Sequence, residues 1–165
     1  MSAIQTATRP GAWKAMALFL AITLAVGAVA GLATASSVTT WYATLVKPTF
    51  NPPNGVFGPV WTLLYVLMAI SGWRVWRSDA PPQLRRGALA FWAAQLLLNF
   101  AWSFLFFGLH APAVALAEIL VLLAVLAVTL ALSWRIDRLA GLLLAPYLAW
   151  VAFASLLNFE IWRLN

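Results

Sequence analysis

The sequence predicts an all-α membrane protein, a bundle of five transmembrane helices capped by a long first loop. Three observations support this fold class: 64 % of the 165 residues are hydrophobic, only 8 % are charged, and five long apolar runs follow one another. A soluble domain of this size carries about 25 % charged residues and leaves much of its surface in water. The composition therefore excludes an ordinary soluble enzyme, and the absence of cysteine excludes thiolate metal sites.

The limits of each span follow from charged residues and from clusters of proline and glycine. A bilayer crossing takes about 20 apolar residues, and a helix satisfies its backbone hydrogen bonds within the hydrocarbon. The runs are continuous rather than alternating, which argues against a transmembrane β-barrel. Within one domain over residues 1–165, the expected helices are 13–34, 56–76, 87–107, 112–134 and 140–162.

The first apolar run resembles a signal peptide, because it follows Arg9 and Lys14 and ends in small residues at 33–35. The apolar core of a signal peptide is about 7–15 residues long. Since this run is longer, we expect it to be retained as the first helix.

The distribution of basic residues predicts the orientation of the bundle. Lys47 and Arg163 fall at one end, and the remaining eight fall at the other: Arg9, Lys14, Arg74, Arg77, Arg85, Arg86, Arg135 and Arg138. The positive-inside rule then places the N-terminus in the cytoplasm, in a bacterial cell membrane or alternatively an outer membrane. The net charge of +6 is explained by topology and by anionic lipid, and no nucleic-acid partner is expected.

The first loop, residues 35–55, is long for a compact bundle and contains Pro48, Pro52 and Pro53. Loops of this length in compact proteins are usually functional or disordered. Proline restricts the backbone, so its proline and aromatic content favours an ordered cap over the mouth of the bundle.

Aromatic and amide side chains follow one face on three of the spans, at the three- and four-residue intervals of a helix. The stripes are Phe57, Trp61, Tyr65 and Met68; Gln95, Asn99, Trp102 and Phe106; and Tyr147, Trp150, Ala154 and Asn158. They describe either a flat, mostly apolar ligand cavity or plain helix packing, and the residues alone favour neither.

Two ionisable residues have alternative interpretations. Glu118 lies about 9 Å into the fourth span, at the helical rise of 1.5 Å per residue. It is either a functional carboxylate or a structural group, protonated or hydrogen-bonded, and the structural role is slightly favoured. His110 is expected to be a solvated loop residue rather than an axial haem ligand. No catalytic motif or metal-binding cluster occurs in the sequence.

Local features of three helices carry further expectations. Gly27 and Gly31 form a GxxxG pattern that favours close helix approach, within the monomer or between two copies. Pro146 is expected to kink the fifth helix and free a carbonyl. Glu160 and Arg163 are expected to form an interfacial ion pair of little energetic weight.

Three segments, Trp41–Met68, Gln95–Gly108 and Pro146–Asn165, resemble the TspO/MBR family of tryptophan-rich sensory proteins and translocator proteins. The resemblance implies a capped five-helix bundle, often a homodimer, that binds protoporphyrin IX or haem as a ligand and requires no cofactor. It also implies that the ligand lies under the first loop. The implied ligand-binding positions are Tyr42, Phe57, Trp61, Tyr65, Asn99, Trp102, Trp150 and Ala154.

The functions implied by the resemblance belong to different classes. The first is a porphyrin receptor or sensor that regulates tetrapyrrole metabolism or a stress response. The second is a light-dependent, protoporphyrin-degrading activity in which Trp61 and Trp150 are the catalytic candidates. The third is a transporter of porphyrin or sterol, for which Glu118 is the obvious proton-coupling group.

Two departures from the family pattern affect these expectations. Many members have tryptophan where Thr49 or Phe50 stands, and this difference reduces the aromatic surface of the cap. Leu156, Phe159 and Arg163 match the sterol-contact pattern imperfectly, because Phe159 replaces its tyrosine. Sterol is therefore only a weakly supported partner.

Overall fold

The computed structural model describes residues 11–165, and within that range the chain forms helices and no strand. The helices are α1 Ala12–Thr39, α2 Trp41–Thr44, α3 Asn54–Arg77, α4 Pro82–Ser103, α5 Pro112–Ile136 and α6 Arg138–Leu164. A π-helical turn, Phe104–Gly108, extends α4. All except α2 are long and apolar enough to cross a bilayer, which confirms the predicted fold class.

The helices are longer than the hydropathy pattern predicts, and the expected loop 35–55 shortens to residues 40–53. The first helix, expected to end at 34, continues to Thr39. Hydroxyl groups near its end bond to carbonyls one turn earlier, as Thr40 Oγ1 does to Ser36 O at 2.7 Å. The third span, expected from 87, begins at Pro82, since proline at the first turn sacrifices no intrahelical bond.

The second, fourth and fifth spans also extend beyond 56–76, 112–134 and 140–162. The fifth gains its first turn because Asp137 caps α6, accepting hydrogen bonds from the backbone N–H of Leu139 at 2.9 Å and of Ala140 at 3.2 Å. Arg74 on α3 forms an ion pair of 2.7 Å with the same carboxylate. Pro146 lies inside α6, which continues through it without a break.

The helices pack as an α4–α5–α6 layer with α3 against α6 and α1 against α3. The main core cluster includes Met68, Leu122, Leu126, Leu144 and Val151, all fully buried. By contrast, only 11 % of the most apolar window of α1 is buried, compared with 39 % for α6. Thus α1 is a peripheral helix that leaves most of its surface to lipid.

Residues 40–53, called the cap below, join α1 to α3 across one end of the bundle. The side chain of Asn165 accepts a hydrogen bond from Val46 N at 2.9 Å and donates one to Val46 O at 3.0 Å. Phe50 of the cap packs against Phe153 of α6, with 6.2 Å between ring centroids. These contacts attach the cap to the end of α6.

Candidate functional site

A cavity of about 630 Å³ lies beneath the cap, between α1, α3, α6 and the end of α4. Its lining includes seven of the eight residues that the sequence singles out: Tyr42, Phe57, Trp61, Tyr65, Trp102, Trp150 and Ala154. The volume lies within the range of about 300–1,000 Å³ that is typical of small-molecule sites. Among residues 11–165 the lining includes two tyrosines but no lysine, arginine, histidine, aspartate or glutamate.

Asn99 does not line the cavity and lies beneath its floor. Tyr65 donates a hydrogen bond to Asn99 Oδ1 at 2.6 Å, and Asn99 Nδ2 donates to the Tyr147 hydroxyl at 2.9 Å. Both ends of the amide are therefore bonded to side chains of the bundle. Asn99 therefore orients Tyr65, which does line the cavity, and its expected contact with a ligand stays a prediction.

The tryptophans of the cavity differ in how their indole N–H groups are satisfied. Trp102 donates to Asn158 Oδ1 at 3.0 Å, and Asn158 Nδ2 donates in turn to Pro112 O at 2.8 Å. The Trp150 N–H is buried and has no partner among the described residues. An acceptor on a bound molecule would satisfy this donor, because an unpaired buried N–H costs free energy.

Aromatic rings hold Trp61 and Trp150 on adjoining walls. The ring centroid of Trp61 lies 5.8 Å from that of Tyr65 and 6.1 Å from that of Tyr147, which it meets edge-on. Trp150 meets Phe57 edge-on at 5.9 Å. Edge-on and tilted contacts at these distances are the favoured aromatic geometries.

The π-helical turn supplies two lining residues, Phe106, which belongs to the predicted stripe, and Phe107, which sequence reasoning missed. Phe106 stacks on Trp102, with 5.4 Å between ring centroids. The aromatic run before Gly108 is the only signal in the sequence, and it does not distinguish a π-helical turn from an α-helix.

The wall formed by α1 was also missed, because its residues are mostly small and carry no aromatic or amide pattern. They are Leu24, Gly27, Ala28, Ala30, Gly31, Thr34, Ala35 and Val38. Gly27 permits the expected close approach, since a Cβ there would lie 2.5 Å from Tyr65 Cε2. At Gly31 no neighbouring helix approaches closely, because a Cβ there would meet nothing within 4 Å.

Tyr42 connects the cap to the cavity. Its hydroxyl donates to Asn51 Oδ1 at 2.7 Å, and Lys47 Nζ lies 4.7 Å from the centre of its ring. Burial raises the pKa of the Tyr42 hydroxyl, so the group stays protonated at neutral pH and remains a donor.

The two ionisable residues with alternative interpretations lie outside the lining. His110 is exposed, stacks on Trp41 at 4.3 Å, and places Nε2 3.3 Å from Ser37 Oγ. Both carboxylate oxygens of Glu118 are buried without a hydrogen-bond partner among the described residues. The expected ion pair between Arg163 and Glu160 is confirmed, at 2.6 Å.

Comparison with known proteins places the sequence in one family. A sequence profile of the TspO/MBR family matches residues 19–163. The chain is 45 % identical to the tryptophan-rich protein TspO of Archaeoglobus fulgidus over 152 residues, 92 % of this chain and 97 % of that protein.

Relatives in two further organisms are also similar in sequence over most of their length. The chain is 42 % identical to the tryptophan-rich sensory protein of Cereibacter sphaeroides over 149 residues, 90 % of this chain and 92 % of that one. It is 39 % identical to the human translocator protein over 126 residues, which are 76 % of this chain and 75 % of that protein. The chain is thus a multi-pass membrane protein and belongs to the TspO/MBR family.

Proposed function

We propose that this protein is a membrane receptor or sensor whose cavity binds a porphyrin, with protoporphyrin IX as the first candidate. The observation that carries the proposal is the cavity of about 630 Å³ with aromatic walls from α3, α4 and α6. Trp61 and Trp150 offer indole faces for stacking against a planar macrocycle. Binding would report tetrapyrrole levels to tetrapyrrole metabolism or to a stress response.

The charge distribution supports a particular pose. No side chain of the lining carries a full charge, which suits the apolar macrocycle but not the propionate groups. Lys47 stands at the cap, beside the ring of Tyr42. The propionates therefore point towards the cap, where Lys47 and water stabilise them, and the ring lies deeper between the tryptophans.

The lining also supports metal-free porphyrin over haem. Among the described residues it contains no histidine, methionine or cysteine, and the hydroxyls of its two tyrosines, Tyr42 and Tyr65, are already bonded to Asn51 and Asn99. His110 lies outside the lining and stacks on Trp41. Haem would bind through stacking alone, without an imidazole ligand, so no gain in affinity over protoporphyrin IX is expected.

Titration of the purified protein in nanodiscs tests the proposal. Protoporphyrin IX is added in the dark, and quenching of tryptophan fluorescence is followed to saturation. Trp61→Phe and Trp150→Phe are expected to weaken binding by about two- to tenfold, since one aromatic contact contributes about 0.5–1.5 kcal/mol. Trp134→Phe is the matched control because Trp134 is exposed on α5 and lies outside the lining. Unchanged affinity in both cavity variants would remove these residues from the site.

The second candidate function is light-dependent degradation of bound protoporphyrin by dioxygen. The observation that favours it is the proximity of Trp61 to the rings of Tyr65 and Tyr147, which are themselves oxidisable. Illumination of the loaded protein distinguishes the candidates. Repeated turnover to a discrete product, lost in Trp61→Phe and Trp150→Phe, supports an enzyme; a single stoichiometric loss with damaged tryptophan contradicts it.

Transport of porphyrin or sterol has less support, because Glu118 is not a lining residue. Leu156, Phe159 and Arg163, the imperfect sterol pattern, lie on an exposed face of α6. The transport hypothesis would be supported if the protein carried porphyrin into liposomes and Glu118→Gln abolished this uptake.

We further propose a bacterial cell membrane, a cytoplasmic N-terminus and a homodimer. The orientation rests on the basic residues near the start of α1 and in the helix turns that flank the α3–α4 and α5–α6 connections; Arg9 lies outside the described residues. An alkaline phosphatase fusion at the C-terminus should be active if that end is periplasmic. Cross-linking in native membranes tests the homodimer.

A further inference from the structure

The walls of the cavity differ in exposure, and the difference follows the helices. The lining residues contributed by α2, α4 with its π-helical turn, and α6 are buried or half-buried. The exposed lining residues of the described chain all belong to α1 or α3: Leu24, Ala28, Gly31, Ala35, Asn54, Gly58 and Thr62. On each helix they recur every three or four residues, so two exposed stripes border one opening.

The glycines show where α1 and α3 separate. A Cβ at Gly27 would lie 2.5 Å from the Tyr65 ring, so the helices are in close contact at that level. One turn nearer the cap, a Cβ at Gly31 would meet nothing within 4 Å, and the same holds for Gly58 on α3. The two helices therefore leave a cleft between Gly27 and the cap, bordered by small side chains.

The cap end of the cavity is closed by contacts at several points. Tyr42, which covers the cavity there, is only 4 % exposed and is bonded to Asn51. Asn165 holds both backbone groups of Val46, and Trp41 stacks on His110. Entry from water would require these contacts to break, whereas the cleft is already open.

The cleft lies at the depth of the lipid hydrocarbon. At 1.5 Å per residue, Gly31 is about 12 Å from the end of α1 at Thr39, and Gly58 is about 6 Å from the start of α3. A hydrocarbon core is about 30 Å thick. The opening therefore faces acyl chains in the leaflet next to the cap.

We propose that the cleft between α1 and α3 is the entrance of the cavity, and that it admits molecules dissolved in the bilayer. Gly31 and Gly58 determine access, because their missing side chains leave the opening. The route favours planar, largely apolar molecules that partition into lipid over molecules that stay in water. The identity of the ligand rests on the proposed function, but the route is a property of the cleft and can be tested without porphyrin.

The natural absence of cysteine allows a direct test. Ala154→Cys places a single thiol in the cavity of the full chain in liposomes, and labelling is timed with two maleimides. One reagent partitions into lipid, and the other is sulfonated and membrane-impermeant. The lipid-soluble reagent is expected to label at least about tenfold faster, after correction for intrinsic reactivity measured on unfolded protein.

Second-site variants locate the route. Gly31→Leu and Gly58→Leu, each combined with Ala154→Cys, are expected to slow labelling from the bilayer by about tenfold. Either substitution is compatible with the fold because a Cβ meets open space there. Leu32→Phe is the matched control, since Leu32 is 79 % exposed and lies on α1 outside the lining. Asn165→Ala, which frees the cap, is expected to leave the rate unchanged.

The proposal is overturned if the sulfonated reagent labels as fast as the lipid-soluble one and Asn165→Ala accelerates both, because entry then passes through the cap. It is also overturned if neither reagent reaches the thiol in the folded protein, or if Gly31→Leu and Gly58→Leu leave labelling unchanged. Failure of protoporphyrin IX to bind, with labelling as expected, refutes the proposed ligand and leaves the entrance in place.

Discussion

Two tryptophans in the same bundle show how its two halves differ. Trp92, far from the cap, donates its indole N–H to Met68 O at 2.9 Å and packs edge-on against Phe19 at 5.0 Å. Trp150, near the cap, has a buried N–H without a partner among the described residues and lines the cavity. The indole N–H of Trp92 is thus satisfied within the bundle, whereas that of Trp150 stays unpaired at the cavity.

The largest effect is expected in the closed half. Trp92→Ala should lower the free energy of unfolding by about 3–5 kcal/mol, because it removes a large buried side chain and leaves a cavity. Unfolding in mixed micelles by increasing denaturing detergent measures this. Trp150→Ala should lower the free energy of unfolding clearly less, since Trp150 is only half-buried beside an existing cavity. Equal losses of stability in the two variants would contradict the difference between the halves.

The glycine pair gives the next largest effect and marks the boundary between the halves. Gly27→Ala should lower the free energy of unfolding by about 1–3 kcal/mol, because its Cβ overlaps the Tyr65 ring. Gly31→Ala should instead be neutral or stabilising by about 1 kcal/mol, since alanine favours the helix and meets open space. The same unfolding assay on both variants checks the sign of each change, and a penalty at Gly31 would mean that the cleft is closed.

Asn99 supports the floor of the cavity from below. Asn99→Ala should cost about 1–2 kcal/mol of stability, because it removes the hydrogen-bonding partners of Tyr65 and Tyr147. Porphyrin affinity should fall as well, since Tyr65 loses its orientation, whereas Asn99→Asp should restore part of both through its acceptor. Unaltered stability and affinity in Asn99→Ala would show that the amide does not hold the floor.

The smallest effect is expected at the exposed end of α6. Glu160→Ala breaks the ion pair with Arg163, and neither stability nor porphyrin affinity should change measurably, because water screens exposed pairs. Unfolding and titration on this variant provide a baseline for the other substitutions. A clear loss of affinity would mean that the side chain of Glu160 or Arg163 contributes to the binding site.

The sequence predicts the five helices and three stripes of aromatic and amide residues, because both depend on repeating patterns within one segment, but it leaves open whether the stripes line a cavity or pack against one another. Hydropathy identifies the spans, and the three- and four-residue spacing groups Trp61 with Tyr65 and Trp150 with Ala154. The comparison with known proteins then establishes the family.

Other features could not be predicted because they depend on the distance between helices. The pattern on α4 gives the face of Asn99 but not its depth below the floor. The sequence does not distinguish Gly27 from Gly31. Only the separation of α1 from α3 places Gly27 in contact with Tyr65 and Gly31 at the opening. The π-helical turn changes which phenylalanines face the cavity without a distinct residue pattern.

If the cavity itself binds the porphyrin, a side chain that fills the cavity should abolish binding. Protoporphyrin IX is titrated in the dark into wild-type protein, Ala154→Leu and Leu156→Phe in nanodiscs. Ala154 lines the cavity and Leu156 is exposed on the same helix, so only the first substitution occupies the site. The account predicts saturable quenching in wild type and Leu156→Phe and its loss in Ala154→Leu. Equal saturable quenching in all three, or none in wild type, would contradict it.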